Sequence, residues 1–263
     1  YIDNIIVKKI LHYHYDIYTL TFVKFRSIML INSFIRERND EYYDNDFFKY
    51  SYFNITKDDS MQEIMKKCAE KAYLDLCRTI KFKTADKNLK AEYKSKVCDR
   101  LIIKAYDVLL NAVESSDDKQ NAFDSEHKRI CEEIIGTYSE ICEFTYGQAQ
   151  KWLNMTLKYI VLLEENSELK SYLHIPVDSL IMQAVGSDNA KLKHCLKLKC
   201  VPKKNGTVSK YSEGSSKPWS KWNYDEYIAF QNTVRKAINE KTSFCSPIEW
   251  ENEAWIEVAE YRK

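Results

Sequence analysis

The sequence predicts an all-α protein, a two-lobed helical domain with one small β-hairpin around residues 191–211. Three observations favour this fold class. Glycine and proline number only 5 and 4 in 263 residues, and β-rich architectures and linkers need more of both. Apolar residues recur every three or four positions over long segments, as they do on one face of a helix. Hydrophobic residues at 44% and charged residues at 30% are typical of a globular chain.

Regular structure is predicted to begin at residue 60, after a separate N-terminal part, residues 1–59. Residues 1–28, which precede the first methionine, Met29, are either a non-native extension or a genuine first strand or helix, and both interpretations stay open here. Residues 37–59 are acidic and aromatic without a clean period, which predicts an irregular connection. We therefore expect a helical domain over residues 60–263, with its two lobes divided near residue 140.

Each predicted helix has a start or stop signal. Ser60 and Glu63 have the spacing of a capping box, and Gly136 is placed to cap the end of the third helix. Thr145 is a candidate N-cap for the fourth helix. The expected helices cover residues 60–80, 85–113, 119–135, 145–163, 178–186, 224–240 and 247–260.

The fourth helix follows a tight turn in "EFTYGQAQKWLNMTLKYIVLL", residues 143–163. Its apolar residues recur on one side, which predicts an amphipathic helix with a buried stripe, and we expect Lys151 and Lys158 to face away from that stripe. A dozen residues later, "HIPVDSLIMQ" places Asp178 just before an apolar run, which is the position of a helix N-cap. The buried stripe is predicted from Ala149, Trp152, Leu153, Thr156, Ile160 and Leu163.

Together, the glycine turn, the long helix and the Pro-Val-Asp segment resemble the helix-hairpin-helix DNA glycosylase superfamily over residues 140–185. In that all-helical family, a glycine hairpin binds DNA phosphates through backbone N–H groups, and an aspartate promotes departure of the base. The resemblance implies that the turn Tyr146–Gly147–Gln148 contacts DNA and that Asp178 is the catalytic carboxylate. The reaction to expect is base excision after base flipping.

Two features of the family pattern differ in this sequence. The family hairpin carries Gly-x-Gly, whereas "FTYGQA" has Gly147 alone, and the position of the family's catalytic lysine is Ala149. Lys151 lies two residues further, about 200° around the helix, so we expect it to point away from that position, as a DNA contact. The resemblance then implies a monofunctional enzyme that uses Asp178 with water. No iron–sulfur cysteine pattern follows, and we expect no metal and no cofactor.

A basic stretch over residues 187–222 has nine lysines against two acidic residues. Lysines can hold phosphates while aromatic rings stack on unpaired bases. The alternative is a solvated surface whose tryptophans anchor the loop to the core. The candidate DNA contacts here are Lys203, Lys204, Lys210 and Trp219.

The eight cysteines are expected to be reduced thiols in a cytoplasmic protein, because no secretory signal is visible and a chain of this size needs no disulfides. A zinc site is the less favoured alternative to burial, since its candidate ligands form no Cys-x-x-Cys pair. Those ligands are His194, Cys195, Cys200 and Cys245.

Other chemistry is not indicated. No apolar run is long enough for a membrane span, and the motifs of nucleotide hydrolysis, dinucleotide binding and zinc proteolysis are absent. His174 is expected to be a loop residue near a helix end, and no histidine has a cysteine or aspartate partner at a spacing that suggests catalysis.

Two functional hypotheses follow. The first is a DNA-binding helical protein, active as a monofunctional base-excision glycosylase through Asp178. The second is a non-enzymatic all-α interaction protein of unknown partner, in which the same residues are only a cap, a turn and a surface. An Asp178 carboxylate that faces solvent at the mouth of a cleft, with Gly147 within about one helix turn's reach, favours the first hypothesis. A carboxylate that is buried or fully occupied by capping, with no adjacent cleft, favours the second.

Overall fold

The computed structural model of the protein describes residues 41–163, 168–198, 200–202, 208–210 and 218–262. Contacts divide the chain into two compact units, residues 1–57 and residues 58–263. The two units are described separately below.

In the first unit, the described residues contain helix α1, Glu41–Phe53. An irregular connection was predicted here, and for these residues the prediction is wrong. Aromatic side chains one turn apart support the helix, since the rings of Phe48 and Tyr52 stack with centroids 5.5 Å apart. The helix ends at Asn54, whose φ of 59° is left-handed.

The described part of the second unit is mainly helical, which confirms the predicted all-α fold class. The capping box of Ser60 and Glu63 is present at the first of its helices. Short 3₁₀ turns cover Cys77–Thr79, Glu168–Ser171 and Trp219–Lys221. The α-helices are α2 (Met61–Leu76), α3 (Lys87–Val97), α4 (Ile103–Glu114), α5 (Lys119–Tyr138), α6 (Tyr146–Leu163), α7 (Ser179–Gly186), α8 (Tyr224–Lys241) and α9 (Pro247–Tyr261).

Two of the predicted helices differ in detail. The helix expected over residues 85–113 is divided by a π-helical turn, Cys98–Ile102, between α3 and α4. Gly136 does not cap α5, because the helix continues to Tyr138, and Ser139 N–H donates to the Gly136 carbonyl at 3.3 Å. The extra turn brings Tyr138 into the core, where it is fully buried. The burial of that ring explains why the glycine does not end the helix.

A short antiparallel pair lies within the predicted hairpin region. Strand β1, Cys200–Pro202, pairs with β2, Val208–Lys210, and Cys200 lies opposite Lys210. The predicted turn between them is outside the described residues. Residues 191–198 are not a strand as expected, because Leu196 and Leu198 N–H groups donate to carbonyls at the end of α7, at 3.0 and 2.8 Å.

Helix α6 is the centre of the second unit. Every residue from Tyr146 to Val161 is buried, since α2, α5, α8 and the 3₁₀ turn Trp219–Lys221 all pack against the helix. The prediction of an amphipathic helix is therefore wrong. Its polar residues face protein on every side, and each of them needs a partner inside the fold.

Candidate functional site

Asp178 is the N-cap of α7, as predicted. Its Oδ1 accepts hydrogen bonds from the backbone N–H groups of Leu180 and Ile181, both at 2.9 Å. These bonds satisfy two of the helix's first free donors. The cap fixes the carboxylate at the junction between the extended segment 173–178 and the helix.

The second oxygen of Asp178 is also occupied. Lys151 Nζ lies 2.9 Å from Asp178 Oδ2, and Trp255 Nε1 donates to the same oxygen at 3.1 Å. The Asp178 side chain is 19% exposed and that of Lys151 only 5%. The prediction that Lys151 points away is wrong, because a buried ammonium requires a counter-charge and Asp178 supplies it.

These partners set the protonation state of Asp178. Burial alone would raise the pKa of the carboxyl, but the charge of Lys151 and the N–H of Ile181 lower it below its usual range. Lys151 and Trp255 add hydrogen bonds that act in the same direction. Asp178 is therefore a carboxylate at neutral pH.

A second buried ion pair lies further along the same helix. Lys158 contacts Glu251 of α9, and both side chains are almost fully buried, at 8% and 2% exposure. Burial raises the pKa of Glu251, against the opposing effect of Lys158. The prediction that Lys158 faces away from the core is thus also wrong.

Asp75 of α2 brings a third carboxylate to this region. Tyr159 Oη donates to Asp75 Oδ2 at 2.9 Å, and Asp75 itself is exposed. The surrounding protein raises the pKa of its carboxyl, while the charge of Lys151 lowers it. We call Asp75, Lys151, Lys158, Asp178 and Glu251 the charged cluster. Within it, the charge of Lys151 acts to lower the pKa of both Asp75 and Asp178, and the Lys151 ammonium is hydrogen-bonded to Asp178.

The glycine turn is covered by the chain. Gly147 N–H donates to the Trp222 carbonyl at 3.0 Å, and Thr145 Oγ donates to the Ser220 carbonyl at 2.6 Å. A Cβ atom on Gly147 would lie 2.0 Å from the Trp219 carbonyl oxygen. The glycine is required here by the close approach of another backbone segment, and its N–H is already bonded.

The two neighbours of Gly147 are bonded within the fold as well. Tyr146 is buried with its hydroxyl 3.5 Å from His127 Nδ1. Gln148 accepts a hydrogen bond from Thr145 N–H at 3.0 Å and donates to the Thr79 carbonyl at 2.7 Å. Gln148 N–H in turn donates to Thr145 Oγ at 3.2 Å, which confirms Thr145 as the N-cap. In this conformation, the turn that was predicted to bind phosphate is the buried first turn of α6.

The basic stretch lies largely outside the described residues, including Lys203 and Lys204. Lys210 is in β2, with its side chain outside the description. Trp219 is half-buried, and Trp222 is buried with its ring 5.2 Å from that of Phe230. The two tryptophans hold this end of the stretch against the helices, as the anchoring alternative predicts.

A buried polar network, not predicted from the sequence, lies beside the charged cluster. His174 Nε2 is 2.7 Å from Asp124 Oδ1, and its Nδ1 is 2.7 Å from Tyr227 Oη. Asn154 donates to the Tyr227 hydroxyl at 2.8 Å and lies 2.6 Å from His127 Nε2. No histidine was expected to have a cysteine or aspartate partner at a spacing that suggests catalysis, and the partner of His174 lies 50 residues away in the sequence. His127 does have Asp124 and Cys131 within one turn of α5, a spacing that could have indicated part of this network.

The hydrogen bonds of this network all donate in the same direction, from His127 through Asn154 towards Asp124. The Asn154 amide must donate to Tyr227, so Tyr227 O–H donates to His174 Nδ1, and His174 Nε2–H donates to Asp124. At the other end, Asn154 Oδ1 accepts from His127 Nε2–H, which leaves His127 Nδ1 as an acceptor. Burial lowers the pKa of both imidazoles, so each is neutral as this order requires.

Cys131 completes an arrangement like that of a nucleophilic triad. Its Sγ is 3.8 Å from His127 Nδ1, and His127 Nε2 contacts Asn154. All three side chains are inaccessible to solvent, and burial raises the pKa of the Cys131 thiol far above its usual range. A thiol held neutral in this way is not a nucleophile, so this group is structural.

The remaining expectations concern metals, thiols and membranes. In the described part of the chain, no group of three or more His, Cys, Asp or Glu side chains could hold a metal ion. Cys195 is buried and Cys245 exposed; of Cys200, only the backbone is described. The seven cysteines with described side chains are free thiols. Over the described ranges, no helix combines the length and apolar character needed to cross a membrane.

Comparisons with known proteins give no relative. Neither a protein-family model, nor a curated protein, nor a solved structure matches the chain.

Proposed function

We propose that the chain is a DNA-binding protein of the base-excision type, with Asp178 as its catalytic carboxylate. The observation that carries the proposal is the ion pair of Asp178 with Lys151, at 2.9 Å. A lysine on the helix after the glycine turn and an aspartate at the start of the next helix lie together, although they are 27 residues apart in sequence. The resemblance to helix-hairpin-helix glycosylases associates the glycine turn and the aspartate with one site, and Lys151, two residues beyond the family's lysine position at Ala149, is this chain's own addition to it.

The chemistry required of Asp178 fits its ionised state. In base excision, the bond between C1′ and the base nitrogen breaks with its electron pair going to the base, which also takes up a proton. The sugar becomes cationic, and water adds to C1′ and releases a proton. A carboxylate with a lowered pKa is ionised when the cation forms and stabilises it, and the proton that water releases passes to solvent.

The occupied state of Asp178 places a condition on this function. Asp178 Oδ2 is bonded to both Lys151 and Trp255 in the free protein, so DNA must displace at least one of them. The Asp178 side chain is 19% exposed, so part of it is open to solvent. Substrate binding is therefore expected to loosen the Trp255 contact first, since Lys151 is held more deeply.

A second candidate function, a non-enzymatic helical interaction protein, is favoured by two other observations. All four hydrogen-bond contacts of the Asp178 carboxylate are internal, which is the occupied state expected for this function, and the Gly147 N–H is bonded to Trp222. In this function, the charged cluster and its partners only join α6 to α2, α7 and α9.

Binding to DNA separates the two candidates. Fluorescence anisotropy is measured on a labelled duplex with a central abasic-site analogue, with intact duplex as competitor and at two salt concentrations. Base excision predicts tighter binding to the lesion duplex, with an affinity that changes in Asp178→Asn. Asparagine also caps helices, so α7 is retained in this variant. Equal, salt-sensitive binding to both duplexes indicates only contacts to phosphates, and no binding at low salt favours the interaction protein.

A further inference from the structure

The segment before Asp178 is extended and buried, with its backbone held by side chains. Residues 173–177 are all buried, and they belong to no sheet or helix. A buried backbone of this kind needs hydrogen-bond partners for its N–H and C=O groups. Two glutamines from different helices supply them.

Gln231 of α8 binds both backbone groups of Ile175, the N–H and the carbonyl. Ile175 N–H donates to Gln231 Oε1 at 3.2 Å, and Gln231 Nε2 donates to the Ile175 carbonyl at 2.8 Å. Gln231 is 3% exposed. The primary amide therefore acts as a neighbouring β-strand residue would, with one donor and one acceptor.

Gln150 of α6 makes the same pair of contacts to Val177, at longer distances. Val177 N–H points to Gln150 Oε1 at 3.4 Å, and Gln150 Nε2 is 3.5 Å from the Val177 carbonyl. Gln150 Nε2 also donates to the Gly147 carbonyl at 2.9 Å, and Asn154 donates to Gln150 Oε1 at 2.9 Å. Gln150 thus connects the glycine turn directly to the residue that precedes Asp178.

In an extended chain, successive residues direct their backbone groups to opposite sides, which explains why the two glutamines bind alternate residues. Ile175 and Val177 present their backbone groups to the two glutamines, while His174 is fixed by Tyr227 and Asp124. Between Leu173 and Asp178, the chain is held from α5, α6 and α8 at once. Asp178 therefore enters the charged cluster from a backbone with little freedom to move.

We propose that Gln150 and Gln231, the amide clamp, are positioning residues for Asp178. The clamp holds the carboxylate so that Oδ1 caps α7 while Oδ2 meets Lys151 and Trp255. A site held within a fraction of an ångström by its supporting residues is what efficient chemistry needs. The catalytic purpose of the clamp rests on the proposed function, whereas its effect on Asp178 can be measured without DNA.

The test is NMR of the full chain at neutral pH, in Gln231→Leu and Gln150→Leu. The indole N–H of Trp255, assigned with Trp255→Phe, reports on its bond to Asp178 Oδ2. The amide exchange of Leu180 and Ile181 reports on the cap. In both variants, we expect an upfield shift of the indole proton and faster exchange of the two amides. Gln231→Met, which keeps the length of the side chain without its amide, is the variant to use if Leu prevents folding.

Val97→Ala is the control for a general loss of stability. Val97 is fully buried in α3, which packs against α5 and the π-helical turn, neither of which carries Gln150 or Gln231. The proposal is overturned if the Trp255 and α7 signals of the glutamine variants stay at their wild-type positions. It is equally overturned if they move as far in Val97→Ala. Failure to bind the lesion duplex would refute the proposed function and leave this result unchanged.

Discussion

At the scale of single residues, the two lysines of α6 differ most from what their sequence positions indicate. A lysine outside an apolar stripe is ordinarily solvated, and nothing local in the sequence indicates otherwise. Their partners, Asp178 and Glu251, follow 27 and 93 residues later. The caps at Thr145 and Asp178, in contrast, depend on neighbours within three residues and could be predicted. Local bonds were predictable from the sequence, and long-range ion pairs were not.

The Lys158–Glu251 pair gives a prediction on stability. Lys158→Met leaves the Glu251 carboxylate buried without its partner, and breaking such a pair costs roughly 3–5 kcal/mol. The double variant Lys158→Met/Glu251→Gln removes both charges and should recover most of that loss. Urea denaturation of the two variants measures the difference. Equal stability of the single and double variants would contradict this interpretation of the pair.

The buried imidazoles predict a loss of stability in acid. The pKa values of His174 and Asp124 are both lowered in the fold, with His174 facing Asp124, Arg235, Tyr227 and His127. The unfolded chain then binds more protons than the folded one, so the free energy of unfolding decreases as pH falls below the ordinary histidine pKa. Each such proton contributes a slope of up to about 1.4 kcal/mol per pH unit.

The variant His174→Gln tests the source of this dependence. It is less stable than the wild type at pH 7, since one link of the polar network is altered, but its stability changes less between pH 7 and 5. Urea denaturation at several pH values gives both slopes. A slope as steep in His174→Gln as in the wild type would assign the acid sensitivity to other groups.

At the scale of helices and turns, the sequence predicted most boundaries because capping residues and apolar periodicity are local. It did not predict that α6 is buried on all sides, since that depends on α2, α5 and α8 packing around it. Gly136 and Gly147 illustrate the difference. Gly136 looked like a helix end and lies inside α5, whereas Gly147 looked like a phosphate-binding residue and lies against the backbone of Trp219.

These two glycines make a matched pair of substitutions. Gly147→Ala places a methyl group 2.0 Å from the Trp219 carbonyl oxygen, and the required shift of the backbone should cost about 1–3 kcal/mol. Gly136→Ala meets nothing within 4 Å and should stabilise the helix by about 1 kcal/mol. Thermal denaturation reports both changes. Equal stability of Gly147→Ala and Gly136→Ala would contradict the close approach of the Trp219 backbone to Gly147.

At the scale of the whole molecule, the second unit is organised around a helix that supplies both lysines of the charged cluster. Helices α2 and α9 and the extended segment before α7 bring the carboxylates to it, and the amide clamp and the polar network fix the segment. Composition and periodicity were sufficient for the all-α fold class. The cluster depends on contacts between distant parts of the chain, and only the Asp178 position and its cap were visible beforehand.

The measurement that tests the central claim compares two charge-removing double variants in the lesion-binding assay. Lys151→Met/Asp178→Asn removes the proposed site, and Lys158→Met/Glu251→Gln removes an equally buried ion pair on the same helix. The proposed function predicts that the wild type and the second variant bind the abasic duplex more tightly than intact duplex, and that only the first variant loses this preference. Equal behaviour of the two variants, or no preference in the wild type, would contradict it.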